Sequence, residues 1–314
     1  MGRKIVVLDG ETLGAVNFRE LERFGEVEVY PRTSPEETLS RIEGAEIVVT
    51  NKVVIDRKLM ERTPTLRLIQ ITATGMNNVD LEAARELGVK VQNVEGYSTE
   101  SVAQHTFALV LTLLNRIPYL SQFGKERWAD SPIFTHIVEW REIAGKRWGI
   151  IGMGKIGRRV AQLASTFGAE VVYYSTSGKN LNAGYPHLPL EELLSTSHIV
   201  TIHAPLNPTT YNLLNRSNLS LLQEEAVLVN VGRGGIVSES DLAHLLKNGL
   251  KVWVGLDVME KEPPSPDNPL LNLPQEVAER VVITPHVAWT SREARERLWR
   301  GVVEGIARFL GEQG

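Results

Sequence analysis

The sequence predicts an α/β protein of two domains, each built on a parallel sheet, with the second domain inserted into the first. Three observations carry this. Short β-branched runs alternate with helical patterns from one end of the chain to the other, the rhythm of strands joined by crossover helices. A fresh series of such units starts in mid-chain, after a stretch with no clear strand. At 314 residues the chain is long enough for two cores of ordinary size.

The first series reads "KIVVLD", "VEVY", "EIVVT", "LRLIQI" and "VKVQN", with helical segments such as "SPEETLSRI" and "VDLEAARELG" between the strands. "STESVAQHTFALVLTLLNRI" opens on capping residues and is then apolar on nearly every face, which predicts a helix buried between layers and bridging the domains. After Pro118 the pattern loosens into an arm carrying Trp128, Phe134 and Trp140. The second series follows: "RWGIIGMG", "EVVYYST", "HIVTIHAP", "AVLVNVG", "KVWVGLD" and "RVVITPH". Leu298, Val302, Ile306 and Leu310 recur at helical spacing and predict an amphipathic C-terminal helix that returns to the first domain.

Composition narrows the function. A net charge of -4 gives no reason to bind a polyanion, so neither nucleic acid nor an acidic membrane is expected as partner. The chain has no cysteine, which removes disulfides, thiolate nucleophiles and zinc-thiolate sites; no metal is expected. The longest apolar run, "FALVLTLL", is far short of a membrane span, and a cytoplasmic location is expected.

Gly152, Gly154 and Gly157 stand in the spacing GxGxxG between an apolar strand and an amphipathic helix. There the first glycine permits a tight turn, the second admits a pyrophosphate to the backbone and the third lets helix and strand pack closely. The free N–H groups and dipole at the helix start then meet the phosphate charge. Because the motif starts in mid-chain, the boundaries expected are 1–99 with 286–314 for a substrate domain and 100–285 for a dinucleotide-binding Rossmann domain, both with Rossmann-like or flavodoxin-like parallel sheets.

Three later runs end on residues able to do chemistry. "VNVGRGG" delivers Arg233, "GLDVMEKEPP" delivers Asp257 and then Glu262, and "ITPHVAW" delivers His286. A lone histidine is usually a core or surface imidazole, and a lone arginine or glutamate a solvated charge; here they share the strand edge where open α/β sheets bind ligands.

Through "GMGKIG", "VNVGRGGIV", "GLDVMEKEPP" and "ITPHVAW" the chain resembles the D-isomer-specific 2-hydroxyacid dehydrogenases over nearly its whole length. "LDGETL", "TNKVVID", "ATGMNNVD" and "GYSTESVAQHTFAL" are most similar to the glycerate dehydrogenase and hydroxypyruvate or glyoxylate reductase group. The resemblance implies NAD(P)-dependent interconversion of a small 2-keto acid and its D-2-hydroxy acid, with His286 as acid/base, Glu262 as its orienting partner and Arg233 holding substrate. It implies backbone contacts to the substrate carboxylate at Thr74 and Gly75, and cofactor contacts from Lys155, Ile156, His203, Pro205, Val231 and Asp257. Many relatives carry aspartate where this chain has Asn77. The chemistry agrees: reduction needs a proton at the keto oxygen, which an imidazole titrating near neutral pH supplies, and a guanidinium fork suits a carboxylate.

An acidic residue at the end of the second strand of such a domain accepts from the ribose hydroxyls and repels a 2′-phosphate. This chain has Ser175 there, followed by Thr176, Ser177 and Lys179, so the expectation leans to NADP(H) over NAD(H), although the usual arginine is missing. The aromatic arm and the resemblance together predict a homodimer. Two other readings stand beside this one: a dinucleotide-sensing binding protein of the corepressor kind, and a dehydrogenase for a bulkier 2-keto acid.

Overall fold

The computed structural model describes residues 2–311, which fall into two compact units: residues up to Ser98 together with those from Thr290 onward, and Thr99–Trp289. The breaks lie one and four residues from the boundaries expected. His286, expected as the first residue of the returning segment, is instead a residue of the larger unit, because its loop is bonded into that unit's own sheet end.

The smaller unit holds a five-stranded parallel sheet in the order β2-β1-β3-β4-β5. Its strands are β1 (Lys4–Val7), β2 (Glu26–Val29), β3 (Ile47–Thr50), β4 (Leu68–Ile71) and β5 (Lys90–Gln92). β3 and β4 are buried at every position, as strands covered on both faces must be, whereas edge strands β2 and β5 include exposed residues. Between strands run α1 (Pro35–Ile42), α2 (Arg57–Glu61) and α3 (Leu81–Glu86). α1 starts where the sequence says it should: Ser34 and Glu37 form a reciprocal capping box, with proline in the first turn. Asp56 and Asp80 cap α2 and α3.

The C-terminal helix (Arg292–Leu310) belongs to this unit and packs on β4 with Leu298, Val302 and Ile306 fully buried. It comes close because two of its residues lack a side chain. A Cβ at Gly305 would lie 2.6 Å from Gln70 Oε1, and one at Gly301 would lie 2.6 Å from a Val94 methyl.

The larger unit opens with α4 (Thr99–Leu114), whose residues Val102, Ala103, Phe107, Val110 and Leu113 are buried among those of its sheet. Arg116 then takes a left-handed conformation and α5 (Ile117–Glu126) begins with Pro118 in its first turn. This helix lies within the stretch expected as an arm; Ile117, Leu120 and Phe123 recur at helical spacing, but it is short and none of its residues is buried. Beyond a 3₁₀ turn at Trp128–Asp130 the arm runs without strand, and Phe134, Ile137 and Trp140 are exposed.

A six-stranded parallel sheet follows: β6 (Arg147–Ile151), β7 (Glu170–Tyr174), β8 (Ile199–Ile202), β9 (Val227–Asn230), β10 (Trp253–Leu256) and β11 (Val281–Ile283), ordered β11-β10-β9-β8-β6-β7. Helices α6 (Lys155–Thr166), α7 (Leu190–Thr196), α8 (Arg216–Leu219), α9 (Glu239–Lys247) and α10 (Gln275–Ala278) make the crossovers. Two apolar layers cover the two faces, one around Trp148, Phe107 and Val160, the other around Leu194, Leu228 and Leu242. Since every strand is parallel, all strands end on one edge. No described helix is long and apolar enough to cross a membrane.

Candidate active site

β9, β10 and β11 are neighbours in register, so the loops that follow them lie side by side. Asn230, the last residue of β9, is 2% exposed and builds the first loop: its side chain accepts from Gly232 N at 3.0 Å and donates to Arg233 O at 2.9 Å. Arg233 leaves that turn half-buried, with Nη1 donating to Gly232 O at 2.8 Å. A Cβ at Gly234 would stand 1.8 Å from the Met259 carbonyl oxygen, so the β9 loop lies directly against the β10 loop that bears Glu262. Asn230 was not legible as a site residue, since an asparagine ending a buried strand carries no signal without its turn.

His286 and Glu262 meet. His286 Nδ1 is 2.6 Å from Glu262 Oε2, and Glu262 Oε1 accepts from Met259 N at 3.1 Å, which fixes the carboxylate at both oxygens. A carboxylate can only accept, so Nδ1 carries the hydrogen and Nε2 is the nitrogen left to exchange a proton. The imidazole is 22% exposed, enough for a small molecule to reach it.

Asp257, 1% exposed, turns its carboxylate to the 284–288 loop. It accepts from Thr284 Oγ1 at 2.6 Å, Val287 N at 2.9 Å and Ala288 N at 2.8 Å. Burial alone would raise this carboxyl, but hydrogen bonds from His105, Thr284 and the two amides outweigh it and hold it below the usual aspartate value.

On the same edge, β6 runs into the glycine turn. Gly152 has φ 93°, and a Cβ there would meet the Ala204 backbone at 2.9 Å; one at Gly157 would lie 2.1 Å from Gly152 O. Gly154 differs: it is the N-cap of α6, no side chain caps the helix, and a Cβ would stand in open space. The residues fit a dinucleotide, because the amides of Lys155 and Ile156 open the helix where an anion can approach without steric opposition. After β7, Ser175 is buried with no partner for its hydroxyl, Thr176 is half-buried, and Ser177 and Lys179 are exposed. His203 follows β8 with Nε2 3.0 Å from Thr201 Oγ1 and its buried Nδ1 unpartnered; burial pushes its pKa down to about 3, so the ring is neutral. Pro205 is exposed and Val231 buried, each at a strand end of this edge.

In the smaller unit Thr74 and Gly75 lie on the loop after β4. Asn93 Nδ2 donates to Thr74 O at 2.6 Å, and Thr74 Oγ1 donates to Val94 O at 3.2 Å, which ties the loop to the segment after β5. Asn77 is exposed. Among the described residues no three His, Cys, Asp or Glu side chains converge as metal ligands would.

An imidazole bonded through Nδ1 to a carboxylate, on the sheet edge that also carries a glycine turn able to admit a dinucleotide, is an arrangement that a nicotinamide-dependent oxidoreductase can use. Residues 107–288, more than half of the chain, match the family model described as D-isomer specific 2-hydroxyacid dehydrogenase, NAD binding domain. The chain therefore belongs to the D-isomer specific 2-hydroxyacid dehydrogenases. It is 37% identical over 321 residues to a hydroxypyruvate reductase of Blautia hydrogenotrophica, covering 98% of this chain and 97% of the relative. With a glycerate dehydrogenase of Methylorubrum extorquens it shares 34% over 318 residues, covering 99% and 97%. Among solved structures it is similar to a D-lactate dehydrogenase from Aquifex aeolicus complexed with NAD and lactic acid, with a TM-score of 0.85, 26% identity, and coverage of 98% and 95%.

Proposed function

We propose that this dehydrogenase interconverts hydroxypyruvate or glyoxylate and the corresponding D-2-hydroxy acid, with His286 as the acid/base. The observation that carries the reading is the 2.6 Å contact between His286 Nδ1 and Glu262, itself anchored by Met259 N. A bound reduced nicotinamide supplies the hydride that reaches the keto carbon. His286 gives its Nε2 proton to the keto oxygen as that oxygen gains charge, and takes it back in the oxidation direction. Glu262 fixes the ring tautomer and stabilises the imidazolium. Arg233 offers a planar fork of N–H donors to the substrate carboxylate and the keto oxygen.

Relatives named for hydroxypyruvate and glycerate support the small substrate. For the cofactor, the serine at position 175 supports NADP(H): no carboxylate stands there to repel a 2′-phosphate, and Thr176, Ser177 and Lys179 can donate to one. The exposed arm residues Ile133, Phe134, Ile137 and Trp140 support a homodimer, since apolar groups at 51 to 89% exposure cluster where a partner would cover them.

A panel of 2-keto acids assayed with NADPH and with NADH tests the reading. The largest kcat/KM is expected for hydroxypyruvate or glyoxylate with NADPH. Preference for a bulkier keto acid would overturn the substrate, and a value tenfold higher with NADH would overturn the cofactor. A monomer mass by light scattering at micromolar concentration would overturn the dimer.

A further inference from the structure

His286 carries φ 54°, the left-handed backbone region that side chains with a Cβ avoid. Such a conformation persists only where its surroundings over-determine it. Here they do. His286 N donates to Asp257 O at 2.8 Å and to Thr284 O at 3.0 Å, and the next two amides bind the Asp257 carboxylate.

Behind Asp257 stands a second layer. Thr284 Oγ1 gives its one proton to Asp257 Oδ1 at 2.6 Å, so towards His105 Nε2, 3.0 Å away, it can only accept. His105 is therefore the donor through Nε2, which also lies 3.5 Å from Asp257 Oδ1. One helical turn earlier on α4, Ser101 Oγ donates to Ala288 O at 2.6 Å. One face of α4 thus grips the loop at both ends, at Thr284 and at Ala288. Asn, Gly or a solvated loop could reverse the chain here without any of this. The added groups make sense if the direction of one side chain matters.

We infer that His105 and Thr284, acting through Asp257 and together with Ser101, are positioning residues that hold the left-handed turn at His286 and so aim its imidazole at the reacting oxygen. The inference rests on the reading of His286 as acid/base. It assigns work to His105 and Ser101 on α4 and to Thr284 just beyond β11.

Thr284→Val keeps the shape and deletes the hydroxyl, and His105→Leu deletes the donor. Each is expected to lower kcat about tenfold or more while the KM for reduced cofactor stays within about twofold, and Thr284→Ser is expected to restore kcat. The hydrogen-bonded Nδ1–H signal of His286 in proton NMR, assigned by its disappearance in His286→Gln, is expected to move or broaden in Thr284→Val and to return in Thr284→Ser. An unmoved signal with unchanged kcat in Thr284→Val, or failure of Thr284→Ser to restore either, would overturn the inference. Where His105→Leu proves too unstable to assay, the Val and Ser pair at position 284 decides alone. Normal turnover of His286→Gln would instead overturn the acid/base assignment, while the NMR comparison still decides whether the loop is held as described.

Discussion

Of the turns that leave the sheet of the larger unit, those at Gly152 with φ 93° and at His286 with φ 54° reach the left-handed backbone region by opposite means. At Gly152 the conformation is local: glycine has no Cβ to oppose it, and the space a side chain would need is filled by the Ala204 backbone. At His286 a full side chain must be present, so the conformation is held from outside, by a carboxylate 29 positions back in sequence and by a helix about 180 positions back. A turn whose task is to keep clear of a ligand can be built by deletion. One whose task is to present a group has to be built by tethering.

The comparison breaks most severely at His286 itself. His286→Gln leaves a polar side chain on the same turn but no acid of suitable strength; kcat is expected to fall by about 10² to 10⁴, with the dissociation constant of reduced cofactor, read by fluorescence titration, unchanged within about twofold. Turnover near the wild-type rate would show that the proton comes from elsewhere.

A smaller loss is expected at the glycine turn, and there two positions can be set against each other. Gly157→Ala places a Cβ 2.1 Å from Gly152 O, so the helix or the turn has to shift, at about 1 to 3 kcal/mol with a matching drop in Tm. Gly154→Ala places its Cβ in open space, so the apo-protein's Tm should hold while cofactor affinity falls about tenfold or more. Equal Tm losses in the two variants would mean that Gly154 is also a packing position, and the turn would lose its reading as an approach surface.

The third test moves to the end of β7. Ser175→Asp puts a carboxylate on the ribose side, and the NADH to NADPH ratio of kcat/KM is expected to rise about tenfold or more. The Ser175 hydroxyl is already buried without a partner, so the substitution also brings a charge into a tight place. A Ser175→Ala control separates the two effects: it should leave Tm nearly unchanged and the ratio where it was.

The same contrast explains what was legible in the sequence. The glycine turn announces itself, because its geometry is written in residues that lack a side chain, within six positions. The strand rhythm and the C-terminal helix are legible for a similar reason: burial on one face or both imposes a short-range period on residue type. Arg233, Glu262 and His286 were legible as strand-end residues, and their proposed roles as what the resemblance implies. That Asn230 shapes the arginine turn, or that Thr284 and His105 brace the histidine loop, was not, since a threonine after a strand and a histidine inside an apolar helix fit many structures equally well. Helix α5 was hard to read for another reason: its period is only three apolar residues long, Ile117, Leu120 and Phe123, and none of its residues is buried. The domain break expected at 285/286 fell short of the observed 289/290 for the same reason as the rest: the bonds that keep residues 286–288 in the larger unit come from Asp257 and Ser101, distant in sequence.

His203 offers the smallest effect and a direct probe of what lies under the glycine turn. A Cβ at Gly152 would meet His203 C and the Ala204 backbone at about 3 Å, and His203 N donates to Ile151 O at 2.8 Å, so this residue is part of the floor on which the turn rests. Its ring, pushed by burial to a pKa of about 3, stays neutral in the folded protein, whereas in the unfolded chain it titrates near the ordinary 6.5. Between those values the unfolded state binds the extra proton, so the contribution is fully present above pH 6.5 and is lost as pH falls. Going from pH 6.5 to 5.5 this one group should cost about 1 kcal/mol of stability. The expected quantity is a difference: in urea unfolding at both pH values, wild type should lose about 1 kcal/mol more than His203→Gln. Parallel losses in the two proteins would show that the ring already accepts a proton in the folded state, and the floor of the turn would have to be wetter than the packing around Ala204 implies.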